Sequence, residues 1–148
     1  MFRSPQVILF SNDVLRAVEF YAGLGFAETF RVPTGAEPIH VDLELDGYKI
    51  GIASVASTRD DHGLDPIAEG QRAAVILWTD DTPAAYATLT AGGAPALAAP
   101  HEWLGRLLIA WTADPDGNPV QIVQSLRSAP RAAGNTRSAS GTDAHPST

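Results

Sequence analysis

The residues of this chain best suited to chemistry are few. His40, Asp42 and Glu44 fall on alternate positions of one strand-like stretch, so their side chains share a face. An imidazole beside a carboxylate can act as a base, and the acidic pair can hold a cationic ligand. The same three residues would equally serve as solvated charge on an outer face. His101-Glu102-Trp103 places a second imidazole beside an acid, in a loop-like stretch before the last hairpin, where a lone His is ordinarily surface. Trp78, Trp103 and Trp111 all lie in the second half. Indoles stack on planar ligands and donate a hydrogen bond, and they also fill cores and interfaces. Of the three, Trp103 is expected to be the more exposed. His62 and His145 fall in a linker and a tail and are expected to be inert. The chain has no cysteine, which excludes a disulfide framework, a thiolate zinc site and a cysteine nucleophile, and is compatible with a reducing cytoplasm. No phosphate-cradling glycine loop, zinc-protease helix or Ser-His-Asp elbow is present. No residue is assigned a catalytic role, and no metal or cofactor is expected.

The elements that must position these residues repeat. Gln6 to Ser11 alternates as a strand, Asp13 follows, and Val14, Ala17, Val18 and Tyr21 have helical spacing up to Gly25. In the second half Ala73 to Thr79 reads as a strand, Asp81 precedes Pro83 at a helix start, and Ala84 to Leu89 continue to Gly92-Gly93. Asp13 to Gly25 and Asp81 to Gly93 each span twelve residues. Asp satisfies free N–H groups at a helix N-terminus, and Gly accepts the left-handed conformation at its end. Each helix is followed by three strand patterns. These are Ala27 to Val32, Ile39 to Leu45 and Tyr48 to Val55, then Ala94 to Ala98, Leu107 to Thr112 and Val120 to Gln124. The last two strands of each half are joined by Asp46-Gly47 or Asp116-Gly117-Asn118, strong hairpin signals. Each half is therefore βαβββ. A half of about fifty residues would leave a sheet face bare, so the two must pair. Val41, Leu43 and Leu45 alternate with His40, Asp42 and Glu44, giving one apolar face for a helix and one polar face.

At 148 residues, 45% hydrophobic and 18% charged, the chain has the composition of a globular protein able to bury a core. The predicted domain spans 1–126, with modules at about 5–56 and 72–126 and an irregular polar linker at about 57–71. The segment 127–148 has no hydrophobic residue larger than alanine and is expected to be a disordered tail. The tail is locally basic, so the body is more acidic than the net charge of −7 for the whole chain. An acidic body argues against nucleic acid and permits attraction of a cationic ligand. No window approaches a membrane span, and the N-terminus lacks the features of a signal peptide, so no membrane association and a cytoplasmic location are expected.

The chain resembles the vicinal oxygen chelate superfamily, which includes glyoxalase I, extradiol dioxygenases, fosfomycin-resistance enzymes and bleomycin-binding proteins. The matching residues are Asp13, Phe20-Tyr21 and Leu24-Gly25-Phe26 in the first half. In the second they are Thr79-Asp80-Asp81 and the turn Asp114-Pro115-Asp116-Gly117-Asn118-Pro119. The resemblance covers about Gln6 to Ser125. It implies an α+β fold of two βαβββ modules forming a curved mixed sheet around a central cavity. Metal-dependent members carry ligands, usually His, seven residues before the strand-end Asp of each half, and others, usually Glu, after each last hairpin. Those positions here are Gln6, Gly51, Ala74 and Gln121. Gly51 and Ala74 have no donor, and neutral amides are poor ligands beside His or carboxylate. No His lies within one residue of any of the four.

The resemblance then implies that Gln6 and Gln121 face one another across the cavity, either binding a ligand or satisfying each other. By alternation Ile8 and Phe10 share the face of Gln6, and Ile76 and Trp78 that of Ala74. An apolar, aromatic lining with few polar anchors suits a small-molecule pocket, and it also suits a dimer contact or plain core. The expected ligand-binding set is Gln6, Ile8, Phe10, His40, Asp42, Ala74, Ile76, Trp78, His101, Trp103, Trp111 and Gln121. The leading expectation is a metal-independent protein that binds and sequesters a small aromatic compound, cationic ones included, like the bleomycin-resistance branch. The alternatives are a glyoxalase-like lyase or isomerase with an atypical or absent metal site, and a dimeric interaction module with no pocket. A homodimer is expected, as isologous dimers are the commonest assembly.

Overall fold

Asp13 starts the first helix by accepting a hydrogen bond from the Arg16 amide at 3.0 Å, and Asp81 repeats the device on Ala84 at 2.9 Å. Around these two caps a computed structural model describes residues 3, 6–67, 70 and 73–126. The segment expected as a tail lies outside the described residues, as does part of the linker. The first module runs β1 (Val7–Ser11), α1 (Val14–Gly23), β2 (Ala27–Val32), β3 (His40–Leu45) and β4 (Tyr48–Ser54). After α2 (Val55–His62), the second runs β5 (Val75–Trp78), α3 (Thr82–Ala91), β6 (Ala96–Trp103), β7 (Leu107–Ala113) and β8 (Pro119–Ser125). No helix of the described residues is long and apolar enough to cross a membrane.

Each module forms a four-stranded mixed sheet, in the orders β1-β4-β3-β2 and β5-β8-β7-β6. The first strand lies at an edge and pairs parallel with the last, while the remaining pairs are antiparallel. The register makes the two halves equivalent: Ile8 faces Gly51 in one and Ile76 faces Gln121 in the other. The Asp46-Gly47 hairpin forms with both residues at positive φ, 51° and 82°. Helix α1 buries Val14, Ala17, Val18 and Tyr21 against Leu9, Val41, Leu43 and Ile52, as the alternation requires. The α3 helix is shallower, and of its residues only Thr82 is fully buried.

Two local expectations need correction. The stretch read as a linker begins with α2, whose sequence VASTRDDH has no apolar period to reveal it. The helix is set instead by Ser54 Oγ accepting from the Ser57 amide at 3.3 Å and by Gly63 in the left-handed conformation at its end. His101, Glu102 and Trp103 are not in a loop. They extend β6, with His101 opposite Ile109 and Trp103 opposite Leu107.

Candidate functional site

The sheet face opposite α1 collects the polar groups of the first module. Asp42 sits between Gly51 on β4 and Phe30 on β2 in the cross-strand register, and His40 is opposite Ala53. Asp42 Oδ1 accepts from Gln6 Nε2 at 2.6 Å and lies 2.7 Å from His40 Nε2. A carboxylate offers only lone pairs, so Nε2 carries a proton, and in the neutral ring Nδ1 is the acceptor. The side chains of His40 and Asp42 are about three-quarters covered, at 27% and 23% exposure. The Phe30 ring stands edge-on to His40 with centroids 6.3 Å apart. Glu44 on the same face is taken up by Lys49, 3.6 Å away.

Gly51 explains how the three groups converge. A Cβ built there would meet Gln6 Nε2 at 3.1 Å and His40 Cε1 and Ile8 Cγ1 at 3.2 Å. The amide, the imidazole and the isoleucine thus lie down over a strand backbone that has no side chain of its own. No His is a sequence neighbour of Gly51, yet His40, diagonal to it across β3 and β4, lays its ring against it.

The second module places Ile76, Gln121 and Trp111 in one cross-strand row, and Trp78, Val123, Ile109 and His101 in the next. Its polar content is lower. His101 is exposed, and its Nδ1 lies 2.8 Å from the Ala99 carbonyl of its own strand. Ala74 precedes β5 and is exposed. Trp111 is half-buried, and Trp78 at 67% exposure, rather than Trp103 at 51%, is the most open indole. Ile8 and Ile76 are also exposed, at 44% and 56%, while Phe10 is half-buried. The Gln6 amide is engaged by Asp42 within its own module rather than by Gln121.

The four ligand positions implied by the family resemblance do not suit a divalent metal. Gly51 and Ala74 supply no donor, and Gln6 and Gln121 offer only neutral amides. Among the described residues no group of three His, Cys, Asp or Glu side chains could hold a metal ion.

The signature turn has a structural role that its sequence did not disclose. Asp114, 2% exposed, accepts from the Asp116 and Asn118 amides and from Asn118 Nδ2. Its Oδ2 also accepts from the hydroxyl of fully buried Tyr21, at 2.8 Å across 93 residues of chain. Burial first, and then the Asp114 charge, raise the Tyr21 phenol well above the usual tyrosine range. Beside it Ser11 Oγ donates to Asp116 Oδ1 at 3.1 Å. Burial raises Asp116, partly offset by that hydrogen bond. Ala73, Val75 and Leu77 add apolar contact with the first module's core. Away from these bonds the modules leave a groove of about 470 Å³, lined by Leu24, Leu45, Tyr48, Leu77 and Trp78 among others.

A family model described as the Glyoxalase/Bleomycin resistance protein/Dioxygenase superfamily matches residues 3–122. No curated protein matches the chain. Among solved structures, a glyoxalase/bleomycin resistance protein/dioxygenase from Nocardioides is similar at 21% identity and TM-score 0.68, covering 90% of this chain and 93% of its own. TioX from Micromonospora sp. ML1 is similar at 21% identity and TM-score 0.67, with 84% and 100% covered. A lactoylglutathione lyase from Agrobacterium tumefaciens is similar at 15% identity and TM-score 0.62, with 82% and 92% covered. At these identities the likeness is one of fold, and it spans nearly the whole of each neighbour.

Proposed function

Because the chain belongs to the Glyoxalase/Bleomycin resistance protein/Dioxygenase superfamily, we propose that it uses this fold to bind and sequester a small planar aromatic compound without a metal ion. The observation that carries this reading is the cluster over Gly51. Where a metal ligand would stand in metal-dependent relatives, the backbone is bare and Gln6, His40 and Ile8 occupy the space. Burial and stacking on Trp111 supply affinity, and a few polar groups orient the ligand. Titrating a set of planar aromatic compounds against tryptophan fluorescence, in chelator-treated protein, tests it. Saturable binding at an affinity unchanged by added divalent ions is expected. Binding by no compound, or only after a metal is restored, would overturn it.

The binding unit is a homodimer in this reading. The edge strands β1 and β5 leave Val7, Ile8, Ile76 and Trp78 between 44% and 67% exposed, an arrangement that invites association unless it is covered. A second copy of the chain is the proposed cover. Light scattering should give twice the chain mass, and Trp78→Lys should shift it towards monomer. A monodisperse monomer at all concentrations would refute this.

The His40–Asp42 pair favours one alternative, a metal-free lyase or isomerase in which His40 Nδ1 takes a proton and Asp42 holds the ring. Turnover of a carbonyl metabolite that is lost in His40→Gln would replace sequestration with this reading.

A further inference from the structure

We propose that Gln6, Asp42 and His40 anchor an amidinium or guanidinium group on the planar ligand, an inference that rests on the binding role proposed above. Asp42 Oδ1 receives both internal hydrogen bonds, from Gln6 Nε2 and His40 Nε2. Gln6 Oε1, Asp42 Oδ2 and His40 Nδ1 remain, and none has a partner among the described residues. Asp42 Oδ2 and Gln6 Oε1 are therefore the open acceptors beside the carboxylate, and His40 Nδ1 faces away from Asp42 on the far side of its ring. A ligand that satisfies them must bring several N–H donors, and the charge favours a cation.

Two features select a planar cation over a compact ammonium. Carboxylate and neighbouring acceptors match the fork of an amidinium or guanidinium, whose donors lie in one plane. Phe30, 51% exposed and edge-on to His40, provides an aromatic wall beside the cluster, against which a weakly hydrated planar cation packs. The surrounding charge agrees. Glu44 already has Lys49, whereas Asp42 has no Lys or Arg partner among the described residues, and the chain carries a net charge of −7.

The test compares 2-naphthamidine with 2-naphthamide, which share a shape and differ in charge and donor count, by calorimetry on the full chain. The wild type should bind 2-naphthamidine about tenfold or more tightly than 2-naphthamide, and Asp42→Asn should bring the ratio close to one. In the wild type, 2-naphthamidine should also shift the Gln6 side-chain amide resonances, and 2-naphthamide should shift them less. Equal affinity for the two compounds would overturn the anchor and leave the aromatic binding role standing. Binding of neither would overturn both. A preference that survives Asp42→Asn, or Gln6 resonances that do not move, would overturn the anchor whatever the variant's stability.

Discussion

Removing one oxygen atom tests how the two modules are held together. In Tyr21→Phe the ring stays packed, edge-on to Phe20 at 5.2 Å and Phe26 at 5.6 Å. The hydroxyl bond to Asp114 is lost. A hydrogen bond to a charged acceptor contributes about 1.5–3 kcal/mol. Asp114 keeps three other donors, one of them on the same Oδ2, so it is not orphaned. The lower half of that range, about 2 kcal/mol, is expected. In urea this should lower the midpoint by about 1 M with the slope unchanged. The pH dependence follows from the raised phenol: a group whose folded pKa exceeds its unfolded value stabilises below the unfolded value, about 10 for tyrosine. The cost of Tyr21→Phe should therefore be constant between pH 6 and 9 and shrink above about 10. A double-mutant cycle with Asp114→Asn should show coupling of about 1 kcal/mol or more. A loss below about 0.5 kcal/mol, or additive single mutants, would refute the claim that this bond joins the modules.

Three further outcomes follow from the same geometry. Burial raises the folded pKa of Asp116, so its ionised form costs stability as pH rises through that value. Asp116→Asn should gain a few tenths to about 1 kcal/mol at pH 7, discounted for exposure, and nothing below the unfolded carboxylate pKa of about 3.9. Equal gains in urea melts at both pH values would contradict this. Gly51→Ala must displace the ends of three side chains, costing about 1 kcal/mol and weakening 2-naphthamidine binding more than fold stability. Ile52, fully buried beneath α1, should cost about 2–5 kcal/mol as alanine, and a loss under 1 kcal/mol by urea melt would place it outside the core.

The legible parts of the fold were those written locally. The two Asp caps, the glycine stops and the Asp-Gly hairpin are decided within a few residues, and the strand alternation sorted Val41 and Leu43 from His40 and Asp42 correctly. Helix α2 escaped because its eight residues rest on a cap and a left-handed glycine rather than on an apolar stripe. Trp103 reads as loop in the sequence because β6 runs past a proline, Pro100, with shifts in its register. The partners of Asp42 and the neighbours of Gly51 depend on which residue faces which across strands, and the Tyr21–Asp114 bond on two positions 93 residues apart. No spacing rule reports either. The family turn was recognised as a motif, but its work, fastening one module to the helix of the other, became visible only once Tyr21 lay beside it.

The repeat also shows what is missing. In the second module the equivalents of Ser11 and Tyr21 are Thr79 and Leu89, and in the first the equivalents of Asp114 and Asp116 are Glu44 and Asp46. Leu89 has no hydroxyl to give. Thr79 repeats the inward bond of Ser11, accepting from the Asp81 amide as Ser11 does from Asp13, but has no bond to Asp46 among the described residues. The pseudo-symmetric pair of modules is thus latched through one of its two equivalent turns, while Asp46 of the other turn lines the groove of about 470 Å³. A pair of jaws with one pin has one easy motion, rotation about the pin. Spin-label distances across the groove should accordingly spread more widely than distances across the Tyr21–Asp114 end, and an apolar molecule wedged into the groove would change the angle between the two sheets without touching the polar cluster on the first.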